Sequence, residues 1–265
     1  MQFRTSDNVN IAYTRQGVGY PIVLVSGFGG YQEIWALQVD YLLKMGYQVI
    51  TYDHRNQGRS QQTRQASTMA RLILDLRELI THLKLHMPIL IGHSMGASIC
   101  YGYIEQSTNA AGVIAVDQTP KMLNTHNWHY GFLNATAQNY QRLAKAPSQV
   151  HETLNGLDPR VFSELLEVKN TYPFQRAANL ALLLDHFQKD WRKTLLATQI
   201  PVLQIAAKQS PYYNPDFMDE SVQKNNLVSG IKLDGCGHVI MAELPTEFNQ
   251  LLRHFVLKNR VRQAS

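Results

Sequence analysis

Short apolar runs separated by stretches of helical length constrain this chain more than any other feature of its sequence. Pro21–Val25 (PIVLV), Gln48–Tyr52 (QVITY), Pro88–Ile91 (PILI), Gly112–Val116 (GVIAV) and Pro201–Ala206 (PVLQIA) read as buried parallel strands. Between them, Trp35–Met45, Ala66–Leu83 and Met95–Gln106 space their apolar residues at helical intervals. Val9–Thr14 reads as an early edge strand, Gly230–Leu233 as a late strand, and Pro245–Leu257 as a closing helix. Strands alternating with helices require crossover connections. The fold class is therefore α/β: a doubly wound, mostly parallel sheet covered on both faces.

The rhythm breaks between Lys121 and Thr198, where no convincing strand occurs. Helices are expected there at about 129–145, 159–169 and 174–195, with Pro147, Pro159 and Pro173 marking breaks or starts. This divides the chain into a core of residues 1–120 and 198–265 and an inserted helical cap, 121–197. A cap so placed lies over the carboxyl edge of the sheet, where ligands bind in such folds.

The sharpest chemical signal is Gly92-His93-Ser94-Met95-Gly96, which follows PILI and opens the helix MGASICYGYI. A nucleophile elbow needs this strand–turn–helix setting, because the serine must stand clear of the sheet on a strained turn. The flanking glycines spare the neighbouring backbone a Cβ. A serine hydroxyl needs a base, and His238 in Gly235-Cys236-Gly237-His238 follows the strand GIKLD at the same sheet edge. The remaining histidines have plainer readings: His54 and His93 as turn and elbow neighbours, and His82, His86, His126, His129, His151, His186 and His254 as helix or loop surface. His126 and His129 are spaced as HxxH without a third ligand, so no metal is expected. An oxyanion hole needs two backbone donors; Met95 N–H is one and Phe28 N–H, in Ser26-Gly27-Phe28-Gly29-Gly30, is the other.

With these residues in hand, the chain resembles the α/β-hydrolase superfamily, specifically its capped esterase and cofactor-free haloperoxidase-like branch. Four landmarks match in order: SGFGG, YDHRNQGRS (Tyr52–Ser60), GHSMG, and GCGHVIMAELPTEFN (Gly235–Asn249). The resemblance implies a Ser–acid–His triad, acyl-enzyme chemistry on carboxylic esters of small or medium acyl groups, and no cofactor. Three positions depart from it. Ser26 stands where the family usually has His, and Asn56 where it usually has Gly. Ser210 occupies the usual position of the triad acid after PVLQIA. Asp117, in VIAVDQTP one strand inward, is the leading replacement, with Asp216 and Asp219 as rivals. A chain with no functional acid would instead be a small-ligand binder, and an intact triad could serve perhydrolysis, lactone opening or C–C bond hydrolysis.

The expected pocket walls are Phe28, Trp35, Trp128, Tyr130, Phe132 and Tyr172, with Met95 and cap leucines. The net charge of +5 resides almost wholly in Arg253, Lys258, Arg260 and Arg262, so the body is nearly neutral and fits an apolar ester pocket better than an anion site. The expected partner is therefore a small-molecule ester, with neither nucleic acid nor membrane. Two lone cysteines, no signal-peptide pattern at Met1–Asp7 and no apolar run near 18 residues point to a cytoplasmic protein.

Overall fold

The computed structural model describes residues 1–65, 67–146 and 150–261. The expected helix start at Ala66, the break at Pro147 and the basic Arg262 lie outside the described residues. Among the described residues the sheet has eight strands: β1 Gln2–Arg4, β2 Asn10–Gln16, β3 Pro21–Val25, β4 Gln48–Tyr52, β5 Ile89–His93, β6 Gly112–Val116, β7 Val202–Ala207 and β8 Val228–Leu233. Their spatial order is β1-β2-β4-β3-β5-β6-β7-β8. Only β1 and β2 run antiparallel to their neighbours, and every pairing from β4 through β8 is parallel. The expected doubly wound, mostly parallel sheet is therefore present. One correction falls at its margin. The predicted edge strand near Val9–Thr14 is β2, which lies inside the edge, because Gln2–Arg4 pairs outside it.

Parallel strands are covered on both faces, and their side chains show it: β3, β5, β6 and β7 are buried along almost their whole length. Helices α2 (Met69–His82) and α3 (Met95–Gln106) pack one face, where Leu72, Leu76, Leu79, Ile99 and Tyr103 meet Val23, Leu90 and Val113. Helix α1 (Ala36–Lys44) and the closing helix (Pro245–Val261) pack the other, with Val39, Leu42, Phe248 and Leu252 against Leu24, Ile91 and Ile114. Thr68 caps α2, its hydroxyl accepting from Arg71 N–H.

Between β6 and β7 the chain forms helices α4 (Tyr140–Lys145), α5 (Pro159–Thr171), α6 (Leu180–Phe187) and α7 (Arg192–Ala197). The expected helix over 129–145 survives only in its last turns. Asn124 explains why: its side chain donates to the Leu133 and Ala135 carbonyls and accepts from Gly131 N–H, holding 122–135 as a folded loop. The expected 174–195 helix is likewise two, since Asp190 accepts from Arg192 N–H and starts α7 afresh.

The turn from β5 into α3 passes very close to the neighbouring backbone. A Cβ at Gly96 would collide with the Val25 and Ser26 carbonyl oxygens, and one at Gly92 with the backbone of Gly96 and Ala97. Gly96→Ala is therefore expected to cost about 1–3 kcal/mol through overpacking. Urea unfolding should show a lower midpoint with an unchanged slope, and an unshifted midpoint would show that the backbone yields freely.

Candidate active site

Four strand ends deliver the residues singled out by the sequence to one edge of the sheet. Ser94 follows β5 with φ 53° and ψ −128°, a left-handed conformation rare outside glycine, and its N–H donates to Val116 O at 2.9 Å. Strain of this kind costs on the order of 1–3 kcal/mol and is held by the packing around it. Met95 begins α3, so its N–H is one of the donors a helix start leaves without an intrahelical partner. The SGFGG loop lies directly against this turn: a Cβ at Gly27 would stand 3.1 Å from the Ser94 Cβ.

Asp117, immediately after β6, is fully buried and also has positive φ, 45°. The left-handed turn carries its carboxylate across the end of β7. There Oδ1 accepts from Ala207 N–H at 3.0 Å, and Oδ2 accepts from Ser210 Oγ at 2.6 Å and from His238 Nδ1 at 2.6 Å. A carboxylate only accepts, so the proton lies on Nδ1 and the lone pair on Nε2. His238 is buried, with its backbone N–H on Glu152 O and its ring edge-on to Tyr212 at 4.8 Å. His93 Nε2 donates to the His238 carbonyl at 3.0 Å.

Asp117, the leading acid in the sequence, is thus the one that meets His238. Its rivals do not. Asp216 is half-buried and Asp219 exposed, and they share Lys232, at 2.6 and 2.7 Å. Ser210, which stands where an acid was expected, grips the carboxylate that does arrive. Asp53 instead braces loops, accepting from the backbone N–H groups of Gln32 and Arg59. Asn56, another of the three departures, has φ 62°, the left-handed conformation that makes glycine the easy choice there.

Ser94, Met95, Phe28 and His238 all line one cavity of about 230 Å³. Of the predicted wall aromatics, Phe28 and Phe132 reach it. Trp35, Trp128, Tyr130 and Tyr172 do not. Trp35 is buried in the core against Phe248, and Trp128 donates to Lys121 O with Tyr130 edge-on to it. Tyr172 is 41% exposed, its carbonyl accepting from Tyr31 OH and its ring lying under the Arg59 guanidinium at 5.6 Å. These residues are aromatic, but core packing and surface position claim them first.

Tyr212, Tyr213 and His186 line the cavity instead. His186, read from sequence as surface, is buried with Nε2 at 2.9 Å from Ser98 Oγ. The signal was present: His186 shares the buried face of α6 with Leu182 and Leu183. Among the described residues no cluster of His, Cys, Asp or Glu could hold a metal, and Cys100 and Cys236 are free and buried. No helix among them is long and apolar enough to cross a membrane.

A strained serine after a central strand, with a buried Asp–His pair at the same edge, is the arrangement on which comparison with known proteins bears. Residues 20–245 match the alpha/beta hydrolase fold family. The chain belongs to that family. Among its relatives is a non-heme haloperoxidase of Rhodococcus erythropolis, 32% identical over 110 residues, 42% of this chain and 39% of that protein. The chain thus spans about two fifths of the length of the curated relatives it matches first. Solved α/β-hydrolase structures match nearly end to end. An esterase from Exiguobacterium antarcticum superposes with a TM-score of 0.84 at 19% identity, covering 96% of this chain and 98% of that one. A bromoperoxidase from Bacillus anthracis does so at 0.80 and 22%, covering 97% and 99%.

Burial pushes the imidazoles of His54 and His186 down to about 4 and about 3. Both values lie below the unfolded pKa near 6.5, so the stability these neutral rings contribute is lost as pH falls from about 6.5 toward 4. In an NMR titration the two are expected to remain unprotonated at pH 5.5. A midpoint near 6.5 for either would contradict their burial as neutral groups.

Proposed function

We propose that this α/β-hydrolase is a serine hydrolase that cleaves carboxylic esters of small to medium acyl groups. The observation that carries the reading is the 2.6 Å contact between Asp117 and His238, beside a cavity that Ser94 also lines. Ser94 Oγ attacks the ester carbonyl while its proton passes to His238 Nε2. Asp117 holds the ring in the tautomer that leaves Nε2 free and stabilises the imidazolium that forms. The Phe28 and Met95 amides donate to the oxyanion as the tetrahedral centre builds. His238 returns the proton to the departing alcohol, leaving Ser94 acylated. It then takes a proton from water, whose oxygen attacks the acyl carbonyl, and passes that proton to Ser94 Oγ as the acyl bond breaks and the acid leaves.

In this reading residues 121–197 act as the cap, since Phe132, Leu143, Leu165, Leu183 and Phe187 from that segment wall the cavity. These apolar walls strengthen the electrostatic terms at the developing oxyanion. The alternative of a non-catalytic binder was motivated by the missing carboxylate at position 210, and the Asp117 contact removes that motive.

With p-nitrophenyl butyrate, a burst of p-nitrophenolate equal to the enzyme concentration is expected where deacylation is slow. Asp117→Asn should lower kcat by roughly 10³–10⁴-fold, as loss of a triad acid does. Asp216→Asn should leave it near wild type. Wild-type turnover in Asp117→Asn would remove the basis of the assignment.

A further inference from the structure

The cavity walls are mostly apolar, yet three charged side chains line them: Glu152, Lys169 and Arg176. Glu152 is engaged, its Oε1 accepting from Tyr212 OH at 2.7 Å. Neither cation pairs with a carboxylate among the described residues, and residues 66, 147–149 and 262–265 include no Asp or Glu side chain. This sets Arg176 apart from Arg55, Arg59, Arg71, Arg160 and Arg192, each of which sits against an acid.

Arg176 is also held in place. One terminal nitrogen, Nη2, donates to the Ala144 and Ala146 carbonyls at 2.9 and 3.2 Å. The guanidinium carbon lies 5.6 Å from the centre of the Phe28 ring, beside the amide assigned to the oxyanion hole. Its Nε is buried and has no hydrogen-bond partner among the described residues. With Nη2 on the two carbonyls and Nε buried, the other terminal nitrogen, Nη1, is the donor left without a hydrogen bond among the described residues, and a charged N–H of this kind bonds a carboxylate strongly.

We propose that Arg176 forms an anion subsite in the cavity and that the ester this protein takes bears a carboxylate. Lys169, exposed along the same cavity, adds a second positive charge to the subsite. The proposal rests on the hydrolase reading and names its substrate class. A single guanidinium in an apolar cavity of about 230 Å³ suits a short aliphatic chain ending in one carboxylate. The near-neutral charge of the body does not oppose this, because a net charge carries no information about where two cations stand.

The test compares kcat/KM for the 4-nitrophenyl monoester of adipic acid with that for 4-nitrophenyl hexanoate, its neutral counterpart of equal chain length. Wild type should favour the anionic ester. Arg176→Gln should reduce the anionic-to-neutral ratio by about 10–100-fold, the range of a charge-assisted hydrogen bond, and Arg176→Lys should restore part of it. A purely structural Arg176 would lower both rates together and leave the ratio unchanged, which would overturn the proposal. Should neither ester be turned over, the hydrolase reading fails, and calorimetric titration with adipate still decides the subsite. Binding to wild type that is lost in Arg176→Gln supports it, and no binding to wild type overturns it.

Discussion

The arrangement at the sheet edge depends on one carboxylate reaching across one strand. Asp117 leaves β6, yet the histidine it meets follows β8, with β7 between them. Strands lie about 4.8 Å apart, so the side chain must cross that interval and be held once it arrives. Three features achieve this. Positive φ at Asp117 turns the side chain toward β7, the Ala207 N–H fixes one oxygen, and Ser210 Oγ joins His238 on the other. An acid at 210 would stand close to Asp117 and repel it. The serine there instead donates to the carboxylate that reaches across.

Ser94 depends on a constraint of a different kind. Ser94 has a backbone conformation that few non-glycine residues adopt, and nothing local favours it. What holds it is crowding: Gly92 lies on Gly96 and Ala97, Gly96 lies on Val25 and Ser26, and Gly27 lies on Ser94 itself. Gly27 of SGFGG and Gly92 and Gly96 of GHSMG thus belong to one contact, in which β3, β5 and α3 approach too closely for side chains. That same approach brings Phe28 and Met95 to the cavity beside the serine.

Legibility in the sequence followed the range of the forces involved. Buried parallel strands are continuous apolar runs, so PIVLV, QVITY, GVIAV and PVLQIA could be read within a residue or two of their bounds. Ser94 and His238 were legible because strand–turn–helix and strand–loop contexts are local. Asp117 was legible only as one of three acids, since its selection is made by contacts with residues 207, 210 and 238. The region from 129 to 139 departs from the expected helix because Asn124 and Gly131 divert the chain from the path its apolar spacing suggests. Most of the wall aromatics were misread for a related reason. Composition says that a Trp or Tyr will find cover, but not whether a cavity, the core or Arg192 supplies it, and Trp128 took the last of these. His186 was legible in principle, since its spacing from Leu182 and Leu183 puts it on the apolar face of α6, where it meets Ser98.

The central claim is that Ser94 is a nucleophile activated by the His238–Asp117 pair. Intact-mass spectrometry after incubation with a fluorophosphonate tests it most directly. The account predicts one adduct per chain, mapped to the peptide containing Ser94 and absent from Ser94→Ala. It also predicts that labelling slows severely in Asp117→Asn, where the ring loses the partner that sets its tautomer. No adduct on the folded wild-type protein, or an adduct that persists in Ser94→Ala, would contradict it.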